Sequence, residues 1–231
     1  MIKIYRKDKL GNADHGWLKS RFHFSFADYY DPKRIHFGNL RVINDDLIAP
    51  DTGFDMHPHQ DMEIISYVVS GELTHQDSMD NKRAVKRGQV QYMSAGKGVM
   101  HSEHNFGSEI TRLLQIWIFP NQHDLTPNYG DESYNWDDRI NKLMPIVSSQ
   151  AGTAQVKIQQ DANIFVSYLE SKKEISFKLE DNRQVYFVQI EGSSIINYLN
   201  LYEGDGAEIE DEDMTITAKG NSHFMLIELA K

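Results

Sequence analysis

The sequence predicts an all-β protein. Short runs rich in valine, isoleucine, phenylalanine and tyrosine recur along the whole chain. Turns bearing glycine, asparagine and aspartate separate them, and almost no stretch shows the apolar period of an amphipathic helix. Seven or so such runs before Pro120 argue for a β-sandwich or barrel. The 231 residues allow one large or two modest domains, and 40% of them are hydrophobic, enough for a real core.

Taken in order, residues 2–6 alternate apolar and basic, as a short strand does. Asn12 to Gly16 reads as a loop. Trp17 to Ala27 reads as a strand with Phe22, Phe24 and Phe26 on one face, closed by the turn chemistry of Asp28 to Pro32. Leu40 to Asp46 is a further strand that ends in the polar turn Asn44-Asp45-Asp46. His15, His23 and His36 in this region are expected to be structural or exposed. Met62 to Val69 is a strong strand, and Leu73 to Asp77 leaves it as a hairpin through Ser70-Gly71-Glu72. Val90 to Met93, the glycine turn Ala95 to Gly98, and Leu113 to Phe119 complete the first half. Asn121 to Met144 is polar and reads as an interdomain connection, with one helical turn at Asp137 to Lys142. Eight strand-like runs then follow between Ala154 and Leu229. Val69-Ser70-Gly71-Glu72 is echoed by Ile190-Glu191-Gly192-Ser193, and Arg87-Gly88 by Glu203-Gly204, which suggests two copies of one β unit.

Composition narrows the function. There is no cysteine, so disulfides, zinc–thiolate sites and cysteine nucleophiles are excluded. The net charge of −10, from 34 acidic against 24 basic residues, disfavours direct nucleic-acid binding, which needs a basic footprint. No secretory h-region follows Met1, and no apolar run approaches the ~20 residues needed to cross a bilayer. A cytoplasmic, non-membrane protein is therefore expected. The acidic residues between Glu203 and Asp213 read as solvated turns.

The chemistry concentrates between Gly53 and Glu103. His57 and His59 are two residues apart, as are His101 and Glu103, and in an extended chain such pairs point to one face. Three imidazoles and a carboxylate converging on one point suit a divalent transition metal. Glu63, Asp61 and His75 are the nearby candidates to orient the ligands. Phe54, Met56, Tyr92 and Met93 are candidates to floor a pocket.

Several longer motifs, in order, resemble the pirin family. They are His15-Gly16-Trp17-Leu18, Phe24-Ser25-Phe26-Ala27, Tyr29-Tyr30-Asp31-Pro32, Leu40 to Asp46, Phe54-x-x-His57-Pro58-His59-x-Asp61-Met62-Glu63, His75-x-Asp77-Ser78 and Met93-Ser94-Ala95-Gly96-x-Gly98-x-x-His101-Ser102-Glu103. The resemblance is dense from residue 12 to Pro120 and looser beyond, and it is closest to the bacterial pirin-like proteins with quercetin 2,3-dioxygenase activity.

It implies a bicupin, two double-stranded β-helix (jelly-roll) barrels of the cupin superfamily in one chain. A metal-binding cupin is then expected at 1–122, a connection at 123–145 and a metal-free cupin at 146–231. The ligands it implies are His57, His59, His101 and Glu103. The ion is usually Fe2+, with Zn2+, Cu2+, Mn2+, Ni2+ or Co2+ able to replace it. The implied activity opens the heterocyclic ring of a small aromatic flavonol such as quercetin with O2 and releases CO. Glu103 would be both ligand and catalytic base, because proton removal needs a carboxylate near the substrate hydroxyl. A monomer is the family-like default. The family also includes nuclear cofactors of transcription, so the alternative is a non-enzymatic iron-binding sensor or interaction module. An open cavity above the metal favours the enzyme, a plugged one the sensor.

Overall fold

The computed structural model describes all 231 residues. Strands take 58% of them and helix 3%, so the protein is all-β. The strands in chain order are β1 (Ile2–Tyr5), β2 (Gly11–Asp14), β3 (Leu18–Phe22), β4 (Leu40–Ile48), β5 (Thr52–His59), β6 (Glu63–Ser70), β7 (Glu72–Asp77), β8 (Lys82–Lys86), β9 (Val90–Ser94), β10 (Val99–Asn105) and β11 (Thr111–Ile118). They continue as β12 (Asn128–Glu132), β13 (Met144–Ser149), β14 (Val156–Ile158), β15 (Ala162–Leu169), β16 (Glu174–Phe177), β17 (Arg183–Glu191), β18 (Ser193–Ile196), β19 (Leu199–Tyr202), β20 (Gly206–Glu210), β21 (Met214–Ala218) and β22 (Ser222–Ala230). No helix is long and apolar enough to cross a membrane.

Two cupin-type units result. One comprises Gly11–Tyr134 with Ile158–Gln160, and the other Met1–Leu10, Asn135–Lys157 and Asp161–Lys231. Each contains a seven-stranded and a four-stranded sheet. In the first unit the orders are β12-β9-β6-β11-β4-β3-β2 and β5-β10-β7-β8; in the second, β1-β20-β17-β22-β15-β13-β14 and β16-β21-β18-β19. The first ten residues therefore belong with the C-terminal strands, because β1 pairs antiparallel with β20. The polar connection also differs from expectation: β12 lies within it and pairs with β9 as an edge strand of the N-terminal sheet.

The core of the N-terminal unit joins its two sheets. Leu18, Ile48, Val68 and Leu113 from the large sheet meet Leu73 and Val85 from the small one. Burying each such side chain stabilises the fold by about 1.5–3 kcal/mol. Beyond this apolar end the inner face changes character row by row. Ser20, Asp46 and Leu113 form the next cross-strand row. Then Phe22, Asn44, Gln115, Ser66 and Gln91 stand side by side across β3, β4, β11, β6 and β9. Apolar and aromatic residues return in the row of Trp117, Ile64, Met93 and Tyr129. A polar belt thus crosses the sheet between its two apolar ends, and its Ser66, Gln91 and Gln115 reach Glu103 on β10 of the small sheet.

Two sequence expectations change here. The strand read as Trp17 to Ala27 stops at Phe22; the chain then turns through a loop in which the Ser25 hydroxyl bonds the backbone of Asp31 at 2.9 Å. Asn44-Asp45-Asp46 is not a turn. All three are buried mid-strand in β4, because Asn44 and Asp46 face the interior and Asp45 is held by the Arg112 guanidinium at 2.8 Å on both oxygens.

The internal echo is structural. Gly71 and Gly192 carry φ of +77° and +72° in the β6–β7 and β17–β18 turns, and a Cβ at either would strike the neighbouring strand end. The C-terminal unit has an apolar core built on Val185, Phe187, Ile209, Ile216, Phe224 and Leu226. Its one histidine, His223, is buried and bonded to Glu191 at 2.8 Å.

Candidate metal centre

The site arises where β10 pairs with β5. His57 lies opposite His101, and Phe54 opposite Glu103, so three steps along β5 match two along β10. This bulge turns both Phe54 and His57 inward, although residues three apart on a regular strand face opposite sides. β5 is the edge of its sheet, which is why Pro58, lacking an N–H, fits between His57 and His59. Gly53 makes the close approach possible: a Cβ there would lie 2.3 Å from the Glu103 carbonyl oxygen and 2.5 Å from the His104 Cα.

Three imidazoles converge. Ring centroids are 4.4 Å apart for His57 and His101, 4.8 Å for His57 and His59, and 4.9 Å for His59 and His101. One donor nitrogen from each lies within 4.8 Å of the others, and a second group of His75, His101 and Glu103 satisfies the same limit. The two groups share His101. Burial, followed by the neighbouring histidines, lowers His59 to about 4 and His101 to about 3. These rings are neutral at pH 7 and keep a lone pair each.

The tautomers follow from the partners. His57 Nδ1 is 2.7 Å from the Asp55 carbonyl oxygen, so it carries the proton and leaves Nε2 as the donor to a metal. His75 Nε2 is 3.0 Å from Asp77 Oδ2, and His101 Nδ1 is 3.5 Å from His75 Nδ1. An Asp77–His75–His101 chain thereby orients the His101 ring, whose Nε2 is buried with no hydrogen-bond partner in the protein. That orphaned nitrogen among converging imidazoles fits a bound transition ion.

Glu103 is held by the polar belt of the opposite sheet. Its Oε1 accepts from the Gln91 amide, and its Oε2 accepts from Gln115 Nε2 at 2.6 Å. Ser66 Oγ lies 2.8 Å from both Glu103 Oε1 and Gln115 Oε1, and its single proton serves one at a time. Oε2, with one donor, keeps acceptor capacity.

A cavity of about 470 Å³ opens onto the cluster. Trp17, Phe22, Phe26, Phe54 and Trp117 form aromatic walls, and His57, His59, Glu103 and Gln115 form one end. Trp17 meets Phe54 edge-on at 5.2 Å, and Trp117 meets Phe26 at 5.4 Å and His59 at 4.9 Å. Ser20, Asn44 and Asp46 also line it. Burial first, then the charges of Asp45 and Glu103, push the Asp46 carboxyl up to about 7.

The family model described as Pirin matches residues 4–118, and one described as a quercetinase C-terminal cupin domain matches residues 145–229. A pirin-like protein from Caulobacter vibrioides is 44% identical over 225 residues, 96% of this chain and 97% of its own. The chain belongs to the pirin family. A quercetin 2,3-dioxygenase from Escherichia coli K12 is 39% identical over 231 residues, 99% of each chain. The crystal structure of the bacterial pirin YhhW from Escherichia coli in complex with nickel(II) superposes with a TM-score of 0.94 at 38% identity, covering 100% of this chain and 99% of that one.

For this pirin the structure brings together His57, His59 and His101, and sets Glu103 beside His101. Among the expected orienting residues only His75 touches a histidine of the cluster. Glu63 is buried, but it accepts from Tyr92 at 2.7 Å, Ser94 at 2.6 Å and the Gln159 backbone N–H at 2.9 Å. Asp61 pairs with His123 at 3.2 Å. Phe54 lines the cavity. Met56 is 46% exposed, Tyr92 is tied to Glu63, and Met93 packs with Ile64 and Val99. His23 is buried, and burial lowers it to about 3. Ser66, Gln91 and Gln115 carry no signal of their own in the sequence, since cross-strand register and not local spacing brings them to the site.

Proposed function

We propose that this chain is a metal-dependent dioxygenase that opens the heterocyclic ring of a flavonol such as quercetin with O2 and releases CO. In this reading His57, His59, His101 and Glu103 hold one divalent ion, with Fe2+ first and Zn2+, Cu2+, Mn2+, Ni2+ or Co2+ as possible replacements. Bound there, the metal would supply Lewis acidity that makes an enolic hydroxyl easier to deprotonate.

The chain's own residues supply the rest. Neutral His59 and His101 need lose no proton to donate. The Asp77–His75 pair fixes the His101 ring. The aromatic walls receive a flat ring system and exclude water around it. Glu103 Oε2 is the atom with capacity to take the proton of the substrate's enolic hydroxyl, while the Gln91 and Gln115 amides hold the carboxylate in place.

The observation that carries the reading is the cavity of about 470 Å³ with aromatic walls that ends on the histidine cluster. Its size lies within the range of about 300–1,000 Å³ usual for small-molecule sites. An open cavity supports the enzyme over the sensor. The test is incubation with quercetin, aerobic and anaerobic, of protein loaded in turn with iron, copper, manganese, nickel or cobalt. Oxygen-dependent loss of flavonol with release of CO is expected with at least one ion; no consumption with any of them would remove the proposal.

A further inference from the structure

The cavity holds polar atoms that the proposed chemistry does not use. Asn44 and Asp46 are 4% and 3% exposed, and both line the cavity. Asn44 Oδ1 and Asp46 Oδ1 are each buried without a hydrogen-bond partner. Ser20, opposite Asp46 in the sheet, bonds its carboxyl and leaves one oxygen open. Leaving a buried acceptor unsatisfied costs about 1–3 kcal/mol. Two such acceptors, side by side on the inner face of β4 in a cavity that Trp17, Leu18, Phe22 and Phe54 also line, are a standing expense unless a ligand fills them.

We propose that Asn44 and Asp46, supported by Ser20, form a hydroxyl-recognition subsite that selects polyhydroxylated over sparsely hydroxylated flat phenols. The subsite rests on the reading of the cavity as a substrate pocket, and it deepens that reading by naming what the substrate must carry besides the group it presents to the metal. The aromatic walls bind any flat ring system with little discrimination. A pocket with buried acceptors rejects an analogue that lacks the matching O–H, because the acceptors then stay unpaired. The apolar walls therefore set the class of ligand, and β4 sets its hydroxylation.

The experiment compares two ligands that share the 3-hydroxyl and 4-carbonyl presented to the metal end. Quercetin carries further ring hydroxyls; 3-hydroxyflavone carries none. Binding to the metal-loaded protein is measured by calorimetry under anaerobic conditions, so that no turnover intervenes. The wild type is expected to bind quercetin at least about tenfold more tightly. Asp46→Leu and Asn44→Leu are each expected to weaken quercetin about tenfold, to leave 3-hydroxyflavone unchanged, and to retain the metal content of the wild type. Equal affinities in the wild type overturn the subsite, a result that needs no variant to fold. Equal weakening of both ligands in the variants, or no binding of either ligand, overturns it as well. Selective binding without turnover would remove the dioxygenase reading and leave the subsite standing. Turnover without selectivity would do the reverse.

Discussion

His101 is the residue on which the centre converges. It belongs to both donor groups, its Nε2 has no partner in the protein, and its other nitrogen leans on His75. Replacing it by alanine should sharply reduce metal retention measured by elemental analysis, whereas His123→Ala, whose ring is exposed and paired only with Asp61, should not. Equal metal content in the two variants would contradict the assignment. His75→Ala tests the orienting chain separately. It leaves every proposed ligand in place and should weaken metal affinity by about 10–100-fold. At this scale the donor pairs were legible in the sequence, because a two-residue spacing on a strand is a statement about facing. The Asp77–His75 support was only half legible. Its reach to His101 depends on the register of β7 against β10, which places Asp77 opposite His101 and His75 opposite Glu103.

Among the elements, β5 and β4 do most to shape the site. β5 is bulged and follows β10 closely, and Gly53 permits that approach. Gly53→Val should separate the strands. We expect a loss of about 1–3 kcal/mol by denaturant unfolding, together with reduced metal content, from the clash with the β10 backbone. A variant as stable and as metal-rich as the wild type would show that the bulge does not depend on this contact. β4 shows why sequence reading failed where it did. A run of Asn, Asp and Asp after an apolar stretch has turn composition, and only the pairing of β4 between β3 and β11 reveals that Asn44 and Asp46 face a cavity. The edge strands β8 and β12 escaped notice for a related reason. They are short and polar and bury little, so they lack the alternation that marked β6 and β11.

For the whole molecule, two copies of one β unit were readable from paired glycine turns, and the structure repeats them with the same left-handed backbone at Gly71 and Gly192. Where the copies begin and end was not readable, since β1 joins the C-terminal sheet across nearly the whole chain length through its pairing with β20. Stability against acid is a property at this scale. Burial holds His23 at about 3, against 6.5 for an exposed ring. Between those values the unfolded chain binds a proton that the folded chain does not. The His23 contribution is thus complete above pH 6.5 and declines as pH falls, by about 1.4 kcal/mol per pH unit. His23→Gln should flatten the pH dependence of urea unfolding between pH 6.5 and 5 in metal-free protein; an unchanged slope would refute the buried neutral ring. The central claim is that one ion sits among His57, His59, His101 and Glu103 with a face open to the aromatic cavity. Anomalous scattering from a crystal of metal-loaded protein, collected at the metal's absorption edge, tests it most directly. The account predicts a single strong peak bounded by those four side chains with the cavity beside it. A peak elsewhere, or none in protein that elemental analysis shows to be loaded, would contradict it.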